Sequence, residues 1–178
     1  AITMIENDVG GGYGARGEFY PEDFLIPFAA RHVNRPVKWI EDRRENLIAM
    51  NHARESEADI EIACERDGTI IGLRGFVHTD MGAYMRTNGA VGARNIPQFM
   101  GGPYRVPHVK IDSLLWMTNK TPVGTYRGPG RYEGSFYIER LLDMVAHDLG
   151  IDRVELRRRN PVTAAEQPYP IASVQPTD

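Results

Sequence analysis

One cysteine, Cys64, in 178 residues excludes an intrachain disulfide framework and any multi-cysteine zinc or iron–sulfur site built by this chain alone. No apolar run approaches the roughly 18 residues needed to span a bilayer, and residues 1–20 lack the basic and hydrophobic regions of a secretion signal. Membrane insertion is therefore not expected, and a cytoplasmic location is. A net charge of −3 and a pI near 6.0, without aromatics interleaved in a basic patch, give no electrostatic footing for nucleic acid. His32, His52, His78, His108 and His147 are scattered without the spacing of a zinc site. Neither a G-x-S-x-G elbow nor a G-x-x-x-x-G-K-[ST] phosphate loop occurs, which removes the common hydrolase and nucleotide-triphosphatase readings.

What is present is glycine, concentrated at two places. DVGGGYGARGEF, residues 8–19, sets Gly10, Gly11, Gly12 and Gly14 around Tyr13. Each glycine costs roughly 0.5–1 kcal/mol relative to alanine inside regular structure, so the segment reads as a loop. A loop of this kind can take positive φ, turn several N–H groups to one side and let a bulky anionic ligand approach the main chain; a plain glycine-rich connection is the alternative. TPVGTYRGPGRYEGSF, residues 121–136, repeats the character with Gly124, Gly128, Gly130 and Gly134, while Arg127 and Arg131 supply fixed cations with planar donor forks. Tyr126 stands in it as Tyr13 does in the first loop. If the two loops meet they frame an anionic ligand from both sides.

The remaining pattern is that of an ordinary globular chain, 42% hydrophobic and 25% charged, and long enough to bury a core. Residues 1–9 read as a strand feeding the first loop. PEDFLIPFAARHVN follows as a helix opened by Pro21, Glu22 and Asp23, with an apolar stripe of Leu25, Phe28, Ala29 and Val33 and a kink or late start at Pro27. Residues 36–43 read as a short strand. Alternation through Ala58, Ile60, Ile62 and Cys64, then Asp67-Gly68, then Ile71, Leu73, Gly75 and Val77, spells a hairpin with Cys64 as a small buried hydrophobe.

Residues 108–119 give another strand. The clearest helix is 134–149, with Ile138, Leu141, Leu142, Val145 and Leu149 at spacings of three and four and Gly150 as its stop. Asp152 and Glu155 then open a short helix whose basic end, Arg157–Arg159, complements its negative pole. The expectation is an α+β fold with a mixed or antiparallel sheet and two or three helices. Residues 1–165 form the ordered core and 166–178 a tail, the whole being an internal section of a longer polypeptide.

DVGGGYGARGEFYPED, RPVKWIEDRRE, HARE and GTYRGPGRYEGSFYIERLLDMVAHDLGIDRVELRRRN, in that order, resemble the large subunit of molybdenum hydroxylases, the family of xanthine dehydrogenase, aldehyde oxidase and aerobic carbon monoxide dehydrogenase. The resemblance implies a piece of a larger molybdopterin-binding domain. It places Gly11, Gly12, Tyr13 and Gly14 on the family's G-G-[FY]-G loop, and Thr125, Tyr126, Arg127 and Gly128 on its A-[FY]-R-G loop, with Thr125 replacing the usual alanine. Backbone N–H groups of Tyr13 and Arg127 are then expected to face ligands of the metal, and Tyr13, Gly17 and Pro129 to line the substrate pocket. The implied cofactor is molybdenum molybdopterin in its cytosine dinucleotide form, held by its own dithiolene, with iron–sulfur and FAD centres on partner subunits or domains.

The implied chemistry is hydroxylation of a small molecule at an electron-poor carbon with water as oxygen source and a glutamate as general base. That glutamate lies in a Gly-Glu-Gly/Pro segment not found here, and the family's upstream glutamine falls before Ala1, so no catalytic residue is expected within this fragment and the fragment alone is expected to be inactive. Gly128 stands where the carbon monoxide enzymes carry cysteine. Gly17 and Pro129 stand where the purine oxidases carry glutamate and phenylalanine, and the adjacent Glu18 substitutes only if the loop shifts. Aldehydes and N-heteroaromatics are the substrate classes left. The contrasting reading is a structural or interaction module of the same fold without cofactor.

Overall fold

The computed structural model describes residues 3–53 and 55–174. Along the chain come α1 (Pro21–Val33), α2 (Arg43–Ala49), β1 (Ser56–Cys64), β2 (Ile70–Asp80), α3 (Val91–Phe99), β3 (His108–Trp116), α4 (Arg131–Leu149) and α5 (Arg153–Arg159), with single 3-10 turns at Ala15–Gly17, Ala164–Glu166 and Ala172–Val174. The class is α+β as expected, with five α-helices among the described residues where two or three were expected.

The hairpin forms as its alternation dictates. β1 and β2 pair antiparallel, Ile62 opposite Leu73, and the Asp67-Gly68 turn closes with Gly68 N–H donating to Glu65 O at 2.9 Å. β3 adds to β2 in parallel, Leu73 beside Val109, so the sheet is mixed in the order β1-β2-β3. A parallel pair needs a long crossover, and residues 81–107, carrying α3, supply it. Leu73 and Val77 from β2 then meet Ile96 and Met100 from α3, Ile138 and Leu142 from α4 and Leu156 from α5 in one buried cluster. Cys64 packs against this cluster half-buried, and burial pushes its thiol up from the usual range, which keeps it protonated.

α4 starts three residues earlier than its apolar spacing suggests and stops at Gly150 in the left-handed conformation. Asp152 caps α5 by accepting from the N–H groups of Val154 (2.9 Å) and Glu155 (3.0 Å). The basic run after it is structural: Arg157 pairs with Glu139 (2.7 Å) and Asp143 (2.9 Å), and Arg159 with Glu155 (3.0 Å). Ser173 Oγ donates to Gln98 O at 2.8 Å, returning the end of the described chain to α3. Residues 175–178 of the expected tail lie outside the described residues. No helix among the described residues is long and apolar enough to cross a membrane.

Three local expectations change. Residues 3–9 and 36–42 join no strand ladder among the described residues and carry no regular structure, and residues 1–2 of the first expected strand lie outside them. A strand is made by its neighbour's hydrogen bonds, which no β-propensity replaces. The second of these runs is followed instead by α2, capped by Asp42 and Glu45, whose carboxylates accept from each other's backbone N–H at 2.8 and 2.9 Å. α1 runs without a break from Pro21 through Pro27 to Val33, yet buries no residue: Leu25, Phe28 and Val33 keep the helical stripe but remain exposed.

Candidate functional site

The first glycine loop reaches left-handed φ at Gly11 (116°), Tyr13 (49°) and Gly14 (87°) before the 3-10 turn at Ala15–Gly17. Among the described residues no hydrogen bond engages the N–H groups of Gly11, Gly12, Tyr13 or Gly14. Successive unpaired donors on a loop of this conformation are the main-chain device for holding anionic atoms. A Cβ at Gly10 would meet nothing within 4 Å and one at Gly12 only Arg16 Cβ at 3.7 Å, so the backbone there is bare. The Tyr13 ring folds back over Gly11 and stays 57% exposed.

The turn after the loop is fixed from behind. The Tyr20 hydroxyl donates to Ala15 O at 2.7 Å, and Asn88 N–H donates to the buried Glu18 carboxylate at 3.0 Å while its Nδ2 donates to Gly17 O at 3.3 Å. Glu18 is thereby turned into the protein as an acceptor for Asn88, and it does not stand in for a pocket acid at Gly17.

The second loop is held at both ends. At its entry Asp80, at the end of β2, accepts from Gly82 N–H at 2.8 Å and Thr118 Oγ1 at 2.7 Å, with Lys120 Nζ 3.0 Å away. Val123 N–H donates to Met81 O at 3.1 Å and bridges to His52. At its exit Asn95 of α3 donates to Pro129 O at 2.9 Å, and Gly130, at φ 76°, approaches Gly92 O so closely that no Cβ fits. α3 went unrecognised in the sequence: Gly92, Asn95 and Pro97 are poor helix formers, its N-cap Ala90 makes no side-chain bond, and the helix exists because Ala93 and Ile96 bury against α4 and the sheet.

The two loops meet. Arg127 N–H donates to Tyr13 O at 2.8 Å, the Arg127 guanidinium lies 5.6 Å from the Tyr13 ring centroid, and a Cβ at Gly14 would sit 2.6 Å from Thr125 Cγ2 and 3.2 Å from Thr125 O. Gly128 follows at φ 69°, and Tyr126 is 41% exposed. The main-chain donor of Arg127, expected to face a ligand of the metal, is engaged by Tyr13 O in this structure. Arg131 is engaged elsewhere, its guanidinium 4.5 Å over the Phe99 ring. Gly17 and Pro129 each turn their carbonyl to a neighbouring asparagine. Of the residues that position this junction, Asp80 and Asn95 carried no sequence signal, because each bonds a partner more than 30 positions away, Thr118 and Pro129. A cavity of about 920 Å³ beside Ile62, Gly72, His108 and Tyr169 includes no residue of either loop and plays no part in the site.

The Asp80 clamp has a pH signature. The hydrogen bond from Gly82 N–H, helped by Thr118 and Lys120, holds its carboxyl below the ordinary aspartate value. A depressed carboxyl stabilises the fold fully above the unfolded value, and the contribution disappears as pH falls through the folded value. Asp80→Asn is expected to lower stability at neutral pH and to flatten the acid limb of the stability curve, read by denaturant melts from pH 7 down to pH 3.

The structure is a mixed sheet backed by helices, with two glycine loops joined edge to edge and, among the described residues, unpaired donors on the first. The sequence matches the molybdopterin cofactor-binding domain family over residues 1–161, and the chain belongs to that family. It is 38% identical over 168 residues to the 6-hydroxypseudooxynicotine dehydrogenase complex subunit gamma of Paenarthrobacter nicotinovorans, covering 94% of this chain and 21% of that protein. It is also 38% identical to the nicotine 6-hydroxylase large subunit of the same organism, covering 89% and 20%. Among solved structures, quinoline 2-oxidoreductase from Pseudomonas putida 86 superposes with a TM-score of 0.87 at 36% identity, covering 94% of this chain and 22% of the other. The chain thus spans about a fifth of the length of these relatives.

Proposed function

We propose that this chain supplies part of the binding site for a molybdenum pterin in a longer polypeptide that hydroxylates an N-heteroaromatic compound with water as the oxygen source. The junction carries the reading: the Arg127–Tyr13 hydrogen bond fastens the two loops together while the N–H groups of Gly11, Gly12, Tyr13 and Gly14 find no partner among the described residues beside it. The bare backbone at Gly10 and Gly12 fits a bulky anionic group. When bound, that group supplies two-electron chemistry at a metal held by its own dithiolene, so no histidine or cysteine ligand set is asked of this chain.

The chain's own residues bind and orient. The glycine-loop donors take anionic oxygens, the Arg127 guanidinium adds a fixed cation with planar donors, and Tyr13 walls the site. Thr125, Tyr126 and Gly128 form the strap that carries Arg127, and Gly17 and Pro129 border the substrate. The proton acceptor comes from outside these residues, so the segment alone is inactive. The cytosine dinucleotide form of the pterin, iron–sulfur and FAD centres on partner subunits or domains, and a cytoplasmic setting belong to the same proposal. The names nicotine 6-hydroxylase and quinoline 2-oxidoreductase favour an N-heteroaromatic substrate over an aldehyde.

The test is expression of the full-length polypeptide in a host that makes the cofactor. Near one equivalent of molybdenum and pterin per chain is expected. Arg127→Ala should reduce turnover by about 100-fold or more, the cost of removing one preorganised charge-stabilising donor, with the melting temperature retained. Wild-type turnover and metal content in that variant would overturn the site assignment. Molybdenum far below one equivalent in the unmutated protein favours a non-catalytic module instead.

A further inference from the structure

We infer that Tyr20 is a positioning residue whose single hydroxyl ties the two glycine loops together from behind. It donates to Ala15 O at 2.7 Å, inside the turn that ends the first loop, and receives the backbone N–H of Asn51 at 3.3 Å. Asn51 is 3% exposed, and its carboxamide lies against Gly124 where a Cβ would stand. His52, the next residue, bridges to Val123. One oxygen atom thus links Ala15, through Asn51, to the residue preceding Thr125. The front of the same junction is the Arg127–Tyr13 bond, so the loops are fastened at two levels.

The tyrosine is itself held. Its backbone N–H donates to the Asp23 carboxylate at 2.9 Å, and the Arg86 guanidinium sits 4.6 Å over its ring while donating to Ala49 O at 3.2 Å. Removing the hydroxyl and keeping the ring leaves the Ala15 carbonyl and the Asn51 N–H, both on buried residues, without this partner. Buried backbone groups left unpaired draw the chain toward conformations that satisfy them. The two loops then separate, and the front bond opens more often.

This assignment rests on the geometry of the loops, and its meaning for binding rests on the proposed pterin site. The experiment separates the two. In the full-length polypeptide prepared without cofactor, Tyr20→Phe is expected to speed amide exchange in the peptide spanning Thr125–Gly128 by about 10-fold, the factor one net hydrogen bond supplies, with exchange in α4 unchanged. Tyr84→Phe is the control: its ring also faces Arg86, at 5.9 Å, and the substitution should leave that peptide as in the unmutated protein. Unchanged exchange at Thr125–Gly128 in Tyr20→Phe overturns the inference, as does equal acceleration in both variants. A wild-type polypeptide that takes up no molybdenum sinks the proposed function, while the exchange comparison still decides the role of Tyr20.

Discussion

Gly14→Ala is expected to destabilise the loop junction by about 2–6 kcal/mol and to abolish cofactor retention in the full-length polypeptide. Two independent terms produce the loss. The backbone at Gly14 has φ 87° and ψ −31°, a region that side-chain-bearing residues enter only at a cost of about 1–3 kcal/mol. The added Cβ would also lie 2.6 Å from Thr125 Cγ2 and 3.2 Å from Thr125 O, and overpacking of this kind costs about 1–3 kcal/mol more. The terms can be separated. Thr125→Ala removes Cγ2 but not the main-chain oxygen, so the double variant should recover the larger share of the steric part and retain the backbone part, a coupling of about 1–3 kcal/mol in a double-mutant cycle. Additive effects would mean that the loops do not touch at this point. Thermal melts and molybdenum content read both quantities, with roughly 2–4 °C expected per kcal/mol in a domain of this size.

Asn160→Ala should be comparably severe, at about 3–5 kcal/mol, although it lies away from the loops. Asn160 is 1% exposed and its carboxamide makes three hydrogen bonds of 2.9 Å: Ile70 N–H donates to Oδ1, and Nδ2 donates to Gly68 O and Leu156 O. One side chain thus locks the β1-β2 turn to the C-terminal end of α5. Truncation leaves one donor and two acceptors buried without this partner, and each such group costs about 1–3 kcal/mol. Asn160→Asp keeps the acceptor for Ile70 but sets an acidic oxygen against two carbonyls, so it should fare no better. The check is a urea midpoint that falls while the slope is unchanged. A midpoint within experimental scatter of the unmutated protein would show that the turn and α5 do not depend on each other.

The legible parts of the fold were those whose cause is local. The β1-β2 hairpin follows from alternation plus Asp67-Gly68, α4 from apolar spacing plus Gly150, and α5 from the Asp152 cap. α2 was legible too, since Asp42-Arg43-Arg44-Glu45 carries the same acid-x-x-acid signature as Asp152–Glu155, but the preceding Val37, Trp39 and Ile40 drew the reading toward a strand. α3 was not legible, because its composition opposes a helix and its packing against α4 decides the matter. The same division runs through the candidate site. Glycine enrichment marked both loops, yet the residues that hold them are isolated polar groups: the Tyr20 hydroxyl takes the Asn51 backbone N–H 31 positions away, Asn95 donates to Pro129 O 34 positions away and Asp80 accepts from Thr118 38 positions away, and no spacing rule announces them.

By itself the sequence determined that two loops would be free of ordinary backbone restraint, that an aromatic and an arginine would stand in them, and that the chain belongs to the molybdopterin cofactor-binding domain family. Only the tertiary structure decided that the loops touch, that the contact consumes the Arg127 amide, and that Glu18 turns inward. The reason is physical. Backbone freedom and apolar periodicity are properties of neighbouring residues, whereas a hydrogen bond between Arg127 and Tyr13 spans more than a hundred positions and exists only once the sheet, α3 and α4 have brought their ends together.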